Sequence, residues 1–279
     1  MKYRYYCCVN EDDRVIDLLK TKNLKYRVSE AHRFLSFEVF SDMKDCEDFL
    51  SFLRTIPGTT IRKSSVFSDK EMEDASWYLF YVSRMGMDTS NVEFTYNARC
   101  RYTTIYGIKK CHHLDQINPF VSKKTPKWKN GYQFCSTETG WTTKIFCSDL
   151  AKETIKKSGI NGVEFMPVLK GDLKTETPDV SQLVFPNKLP REAFEFIGAY
   201  HKEVCPYCGE FDYVFDEPAC DNVRLNIDLV PAGIDAFGSE MLFGPGFGEE
   251  FIVISKKFYN LIFNELKEKK GHAILYPIA

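Results

Sequence analysis

At 279 residues the chain is long enough to bury a large core and to form two or three domains. Its 44% hydrophobic and 15% aromatic content, with Phe at 23 copies, excludes a disordered chain, and nowhere do 18 consecutive apolar residues occur, as a membrane-spanning helix would need. The formal net charge of −2, from 37 Lys+Arg against 39 Asp+Glu, excludes neither basic nor acidic partners, because the charges are segregated along the chain.

The first eight residues, Met-Lys-Tyr-Arg-Tyr-Tyr-Cys-Cys, mix charge into apolar residues and lack the apolar run of a secretory signal, so a cytoplasmic location is expected. There thiols stay reduced, and most of the ten cysteines are expected to be buried apolar fillers. Residues 2–9 read as an aromatic strand, 12–20 as a helix with Val15, Leu18 and Leu19 inward, and 34–40 as an alternating strand. A helix over 45–55 places Phe49, Phe52 and Leu53 on one face. A further helix over 68–85 opens with a capping box, Ser68 followed three residues later by Glu71. Together these predict an N-terminal α+β domain over 1–98 with no evident chemistry.

Beyond residue 98 a pattern occurs twice. Ile145-Phe-Cys-Ser148 leads into a helical stretch, Gly162 and a closing Pro167-Val168; Ile252-Val-Ile-Ser255 leads into a helical stretch, Gly271 and a closing Pro277-Ile278. Each copy predicts a short strand, a Ser N-cap, an amphipathic helix, a glycine at its end and a second strand. The inward stripes are Leu150, Ala151, Thr154 and Ile155 in one, and Phe258, Leu261, Ile262 and Leu266 in the other, both core by their helical spacing. Cys100 lies 48 residues before Ser148, and Cys205 lies 50 before Ser255. The predicted organisation is thus α+β: an N-terminal domain, a first repeat module over 99–172, a connection over 173–200 with one strand at 181–185, and a second module over 201–279.

Between 99 and 129 stand eight Lys/Arg, among them Lys123, Lys124, Lys127 and Lys129, against the one acid Asp115. With Tyr102, Tyr106, Phe120 and Trp128 interleaved, this stretch could hold nucleic acid by phosphate contacts and stacking, or consist of solvated loop lysines. Between 210 and 250 ten acids oppose Arg224 alone, with aromatic residues among them. A protein interface with aromatic anchors and a charged rim uses such residues, and Phe211, Asp212, Tyr213, Asp216, Glu217 and Asp221 are the candidates. Alternation along 211–215 fits a strand with a core-facing side equally well.

Cys205-Pro-Tyr-Cys208-Gly209 has the spacing at which two thiolates can hold one zinc, with Cys220 and His201 the nearest further ligands in sequence. A vestigial knuckle with free thiols is the competing reading. A redox pair is disfavoured because no thioredoxin-type strand precedes it. Cys111-His112-His113 reads as loop, as does Gly244-Pro-Gly-Phe-Gly248, whose following Glu249-Glu250 would repel phosphate. No Ser/His/Asp arrangement or dinucleotide fingerprint is present; a zinc-dependent enzyme would require Cys205 and Cys208 to hold a metal with an open position.

The combination of Cys-x-x-Cys-Gly, an acidic aromatic stretch, a strand ending in Ser, a helix and the closing Gly162-Val-Glu-Phe-Met-Pro167-Val168 resembles the bacterial immunity-type proteins with paired Cys-x-x-Cys-Gly modules found beside polymorphic toxins. The likeness covers 205–278 and, less completely, 100–168, where the second cysteine is missing. It implies a non-enzymatic inhibitor that neutralises a partner by occlusion, such as a basic toxin or a defence enzyme.

Overall fold

The protein is described by a computed structural model, which covers the whole chain except residues 1, 30–32, 84, 88–91, 99–113, 138–143, 198–199, 205–208, 210, 216–222 and 244–248. The chain divides into two units, Met1–Glu73 and Asp74–Ala279, and is mixed α+β. Among the described residues, no helix is long and apolar enough to cross a membrane.

In the first unit, β1 (Lys2–Asn10), α1 (Asp13–Thr21), β2 (Tyr26–Ser29), β3 (Phe34–Phe40), α2 (Cys46–Arg54) and β4 (Thr60–Val66) follow in that order. The strands pair antiparallel as β2-β3-β1-β4, so each helix joins two strands that have a third between them, the arrangement of a ferredoxin-like sheet. Alternate residues of a strand face one side. Tyr5, Cys7 and Val9 therefore bury with Leu35, Phe37 and Val39 against Val15 and Leu19 of α1 and Phe49, Leu50 and Leu53 of α2. Burial pushes the Cys7 thiol up to about 12, in keeping with a structural filler.

The short helix α3 (Asp69–Asp74) opens with the expected capping box: the Ser68 N–H donates to Glu71 Oε2 at 2.7 Å, and the Glu71 N–H to Ser68 Oγ at 3.2 Å. It does not run on to residue 85. The Trp-Tyr-Leu-Phe-Tyr-Val segment is instead a strand, β5 (Trp77–Val82), with Tyr78, Leu79 and Phe80 buried in succession. Aromatic and β-branched residues favour extended chain, and a strand covered on both faces carries no alternation to separate it from a helix. The first unit accordingly ends well before residue 98, because β5 belongs to a sheet of the second.

The second unit continues with β6 (Met85–Met87), α4 (Val92–Thr95), β7 (Tyr96–Ala98), β8 (Leu114–Gln116), β9 (Phe134–Thr137), β10 (Ile145–Cys147), α5 (Asp149–Lys157) and β11 (Glu164–Leu169). A second series follows: β12 (Glu176–Val184), β13 (Lys188–Leu189), a 3-10 turn (Arg191–Ala193), β14 (Phe194–Phe196), β15 (Tyr200–Val204), β16 (Phe211–Phe215), β17 (Val223–Leu225), β18 (Ala236–Phe243), β19 (Glu249–Ser255), α6 (Lys256–Asn260) and β20 (Ala273–Pro277). One sheet has the order β11-β12-β10-β9-β6; the other runs β15-β16-β18-β19-β5-β20, with β13 beside β18.

The two series match element by element. In β10-α5-β11 and in β19-α6-β20 a helix joins two strands separated by one antiparallel strand, β12 in the first case and β5 in the second. Ser148 and Ser255 are the N-caps, accepting from Ala151 N–H at 3.1 Å and Phe258 N–H at 3.3 Å. Each cap hydroxyl also donates to the side chain just ahead of the neighbouring strand, Ser148 to Gln133 Oε1 and Ser255 to Asp235 Oδ1. Pro167 lies opposite Ser181 and Pro277 opposite Tyr78, which is the same register position. β6 runs parallel to β9 as β13 does to β18. The small pairs β7–β8 and β14–β17 share a register too, and the same bond closes each: Ile117 N–H to Thr95 O at 2.9 Å, Asn226 N–H to Ala193 O at 2.8 Å.

One difference from a simple tandem is decisive. In chain order β5 begins the first series and β12 the second, yet β5 sits inside the second sheet and β12 inside the first. The repeats have exchanged their opening strands. Residues 173–200 are therefore not a mere connection: they hold the second strand of the first sheet, and Pro178 falls outside the Ser181–Gln182 stretch that pairs with β10. The loops after the helices complete the exchange. Asn161, beyond α5, donates from Nδ2 to Gly233 O at 3.0 Å and from its N–H to Asp235 Oδ2 at 3.1 Å. In return Glu268 Oε2 accepts the Gln133 N–H at 2.6 Å, and Lys269 N–H donates to Gly131 O at 3.0 Å.

The helix stripes need one correction. Ala151 and Ile155 are buried, but Thr154 is only half-buried, its hydroxyl donating to Leu150 O at 2.8 Å, and Leu150 is 60% exposed, since it lies on the first turn's outer face. In the second helix Phe258, Leu261, Ile262 and Leu266 are all buried, and the segment Leu261–Glu265 continues α6 in a wider π-type turn.

Candidate protein interface

Between β14 and β17 the second series carries an excursion, the β15–β16 hairpin, which adds to the outer edge of its sheet. An aromatic cluster seats it. Tyr213 of β16 is 3% exposed and lies 5.5 Å, ring to ring, from Phe196 of β14 and 5.8 Å from Tyr200 of β15. The Arg191 guanidinium stands over Phe196 at 4.2 Å and over Tyr213 at 5.4 Å, while its Nη1 donates to Phe194 O at 2.7 Å. Tyr213 is thus part of the sheet's apolar cluster, and the core-facing reading of the 211–215 alternation is the one that holds for it.

The backbone of Phe211 and Asp212 runs in β16 opposite Val204 and Glu203; their side chains lie outside the described residues. So do Asp216, Glu217 and Asp221, and also Cys205, Cys208 and Cys220 of the proposed zinc site. His201 is exposed on β15, paired in register with Val214. Among the described residues, no group of three or more His, Cys, Asp or Glu is placed to hold a metal.

Not every acid of the 210–250 stretch faces outward. Asp235 accepts from Ser255 and Asn161 and pairs with Lys257 at 3.3 Å, and Glu250 pairs with Lys188 and, at 3.8 Å, with Lys144. The basic stretch is changed in a similar way. Phe120 is buried edge-on against Phe146 at 5.1 Å and so is no platform for bases, while half-buried Trp128 donates from Nε1 to Asp179 O at 2.5 Å. Lys123, Lys124, Lys127 and Lys129 are exposed; residues 99–113, with Tyr102 and Tyr106, lie outside the described residues.

Exposed apolar side chains surround the excursion: Ile227 (57%), one of the apolar residues that the sequence sets among the acids, with Leu229 on the turn after β17, and, not singled out from sequence, Ile197, Tyr200 and Val204 (62% exposed) on its first arm. The turn is capped by Asn226, whose Oδ1 accepts the Asp228 N–H at 3.3 Å. Their exposure could not be read from Tyr-His-Lys-Glu-Val, a segment whose outer edge is defined only by where the sheet ends.

No protein family and no curated protein matches this sequence.

Proposed function

We propose that this chain is a non-catalytic binding protein that neutralises a protein partner by covering it, as the resemblance to immunity-type proteins implies. The observation that supports this reading best is the exposed set Ile197, Tyr200, Val204, Ile227 and Leu229 flanking the β14–β17 pair. Large apolar side chains held in water lose about 25 cal/mol for every Å² that a partner could cover, and apolar groups rimmed by charge mark protein-binding surfaces. Among the described residues β15 pairs only with β16, which leaves its outer backbone edge for a strand of the partner. The excursion also carries Glu203, Glu210, Asp212, Asp216, Glu217 and Asp221 against Lys202, a balance that steers a basic partner such as a toxin or defence enzyme.

The test is capture of partners from a lysate of the native host by the intact protein and by a Val204→Glu/Ile227→Glu variant, with mass spectrometry and a melting curve of each. A partner retained by the unaltered protein and weakened by about tenfold or more in the variant, at equal melting temperature, is the expected result. Equal retention by both would remove this surface from the account. A structural zinc on Cys205 and Cys208, in the segment joining β15 to β16, belongs to the same reading. Elemental analysis of the protein and of a Cys205→Ser/Cys208→Ser variant decides it.

A further inference from the structure

A cavity of about 180 Å³ lies where the two series meet, walled by Ile145 and Ile252, which are equivalent residues, each three positions before its N-cap serine. One wall is amide. Gln116 Nε2 donates to Gln182 Oε1 at 2.7 Å and Gln182 Nε2 to Gln116 Oε1 at 2.8 Å, with Met166 Sδ 3.4 Å from Gln116 Nε2. The other is ionic: Glu250 stands between Lys188 and Lys144, its carboxylate lying over Gly238, where any side chain would collide with it.

The duplicated fold supplies an internal control. Gln182 lies opposite Phe146 and Met166; its counterpart Leu79 lies opposite Val253 and Tyr276. Gln116 lies opposite Tyr96, the first residue of β7; its counterpart Leu225 lies opposite Phe194, the first residue of β14. In the second sheet Leu79, Leu225 and Tyr276 join one apolar cluster. The same positions of the first sheet hold two glutamines and a methionine beside an open cavity. The architecture closes these positions with apolar groups in one copy, so it does not itself require the amides, and burying Gln182 to 3% exposure costs desolvation that leucine would avoid.

From this we infer that the cavity binds a small zwitterion of the α-amino-acid class with a polar side chain. Its carboxylate would meet Lys144 and Lys188, its ammonium Glu250, and its side chain the second Nε2 N–H of Gln182 and the second lone pairs of the two carboxamide oxygens; the second N–H of Gln116 is already directed at Asn118 O, at 3.2 Å, and at Met166 Sδ. The volume is below the roughly 300–1,000 Å³ of clefts for drug-sized ligands, which restricts the occupant to a molecule of this size.

The experiment titrates L-glutamine, L-glutamate, glycine and succinate into the full-length protein, read by calorimetry and by thermal shift. Saturable binding of L-glutamine or L-glutamate, weaker for glycine and absent for succinate, is expected. The Gln116→Leu/Gln182→Leu variant, which copies the second sheet, should melt no lower than the parent and bind about tenfold or more weakly, the loss of roughly one strong hydrogen bond. Should that variant fold poorly, Lys144→Met, at a partly exposed side chain, should show a like loss of affinity. Binding of succinate in place of the amino acids, no saturable binding of any of the four, or variants that bind as the parent does would each overturn the assignment.

Discussion

The two series of the second unit use one set of backbone pairings for two interiors. Around β12 the first sheet carries Gln182, Ser181 and the Gln116 amide, and its helix leaves Leu150 in water; around β5 the second carries Tyr78, Leu79 and Phe80, and its helix buries every residue of its stripe. Cap serines, closing prolines and the register of the small strand pairs are the same in both. The fold is therefore fixed by caps, turns and register, while the side chains between them were free to diverge, one copy toward a packed interior and the other toward a polar cavity. The exchange of β5 and β12 makes neither copy complete without the other.

The largest effect that could break this comparison comes from separating the copies. A protease site placed in the exposed turn at 171–173 should, once cut, leave two fragments that co-migrate on gel filtration under native conditions, because each contributes an internal strand to the other's sheet. Fragments that separate and stay folded would refute the exchange. Phe80→Ala acts at the same junction. Phe80 is fully buried, edge-on to Phe134 of β9 at 5.7 Å and 6.3 Å from Phe258 at the start of α6, so truncation should cost about 3–5 kcal/mol in denaturant unfolding.

Glycines at equivalent positions give a sharper contrast. Gly162 and Gly271 both follow the helices with φ near +92° and +93°, a conformation that strains any L side chain by about 1–2 kcal/mol. A Cβ at Gly271 would meet nothing within 4 Å, whereas at Gly162 it would lie 2.3 Å from Ala236 O and 2.6 Å from Ile234 Cγ2 of the other copy. Gly271→Ala should thus cost about 1 kcal/mol and Gly162→Ala on the order of 3 kcal/mol, strain plus overpacking. Equal losses in thermal unfolding would show that the loop after α5 does not dock as tightly as these distances require.

How much of this was legible in the sequence follows from which signals are local. Ser148 and Ser255, Gly162 and Gly271, and Pro167 and Pro277 act on their own neighbourhoods, and from them the two strand-helix-strand units could be written down. The capping box at Ser68 was legible for the same reason. The helix expected to continue through residues 77–82 was not avoidable from local pattern, because consecutive burial of Tyr78, Leu79 and Phe80 depends on sheets and helices distant in sequence. The exchange of β5 and β12 was likewise hidden, since pairing partners leave no periodicity. In the candidate interface, Tyr213 was readable as either anchor or core; only the position of β16 one strand in from the sheet edge decides it.

The cap serines offer a smaller effect with a predicted asymmetry. Ser148→Ala removes the cap bond to Ala151 N–H and also the only described donor to Gln133 Oε1, a buried neutral acceptor. Ser255→Ala removes the bond to Phe258 N–H, but Asp235 keeps the Asn161 N–H and Lys257. Losses of about 2 kcal/mol for Ser148→Ala and about 1 kcal/mol for Ser255→Ala are expected in denaturant unfolding. The reverse order would mean that the Asp235 charge, not the neutral amide, is the group that depends on its serine.

The smallest effect belongs to the turn from β11 into β12 in the first copy. Asp172 accepts the Lys174 and Thr175 N–H groups at 2.9 and 2.8 Å and the Thr175 hydroxyl at 2.5 Å, and the hydroxyl first, then the amides, holds its carboxyl down at about 2. A carboxyl lowered by folding contributes stability that is fully present above its unfolded value of about 3.9 and is lost as pH falls through the folded value. The difference in melting temperature between the unaltered protein and Asp172→Ala should therefore be constant at neutral pH and narrow between roughly pH 4 and pH 2. The turn is exposed, so the difference will be small. A gap that persists unchanged into that acid range would mean that the turn is held by its backbone alone, and that the charge on Asp172 contributes nothing to bringing β12 alongside β11.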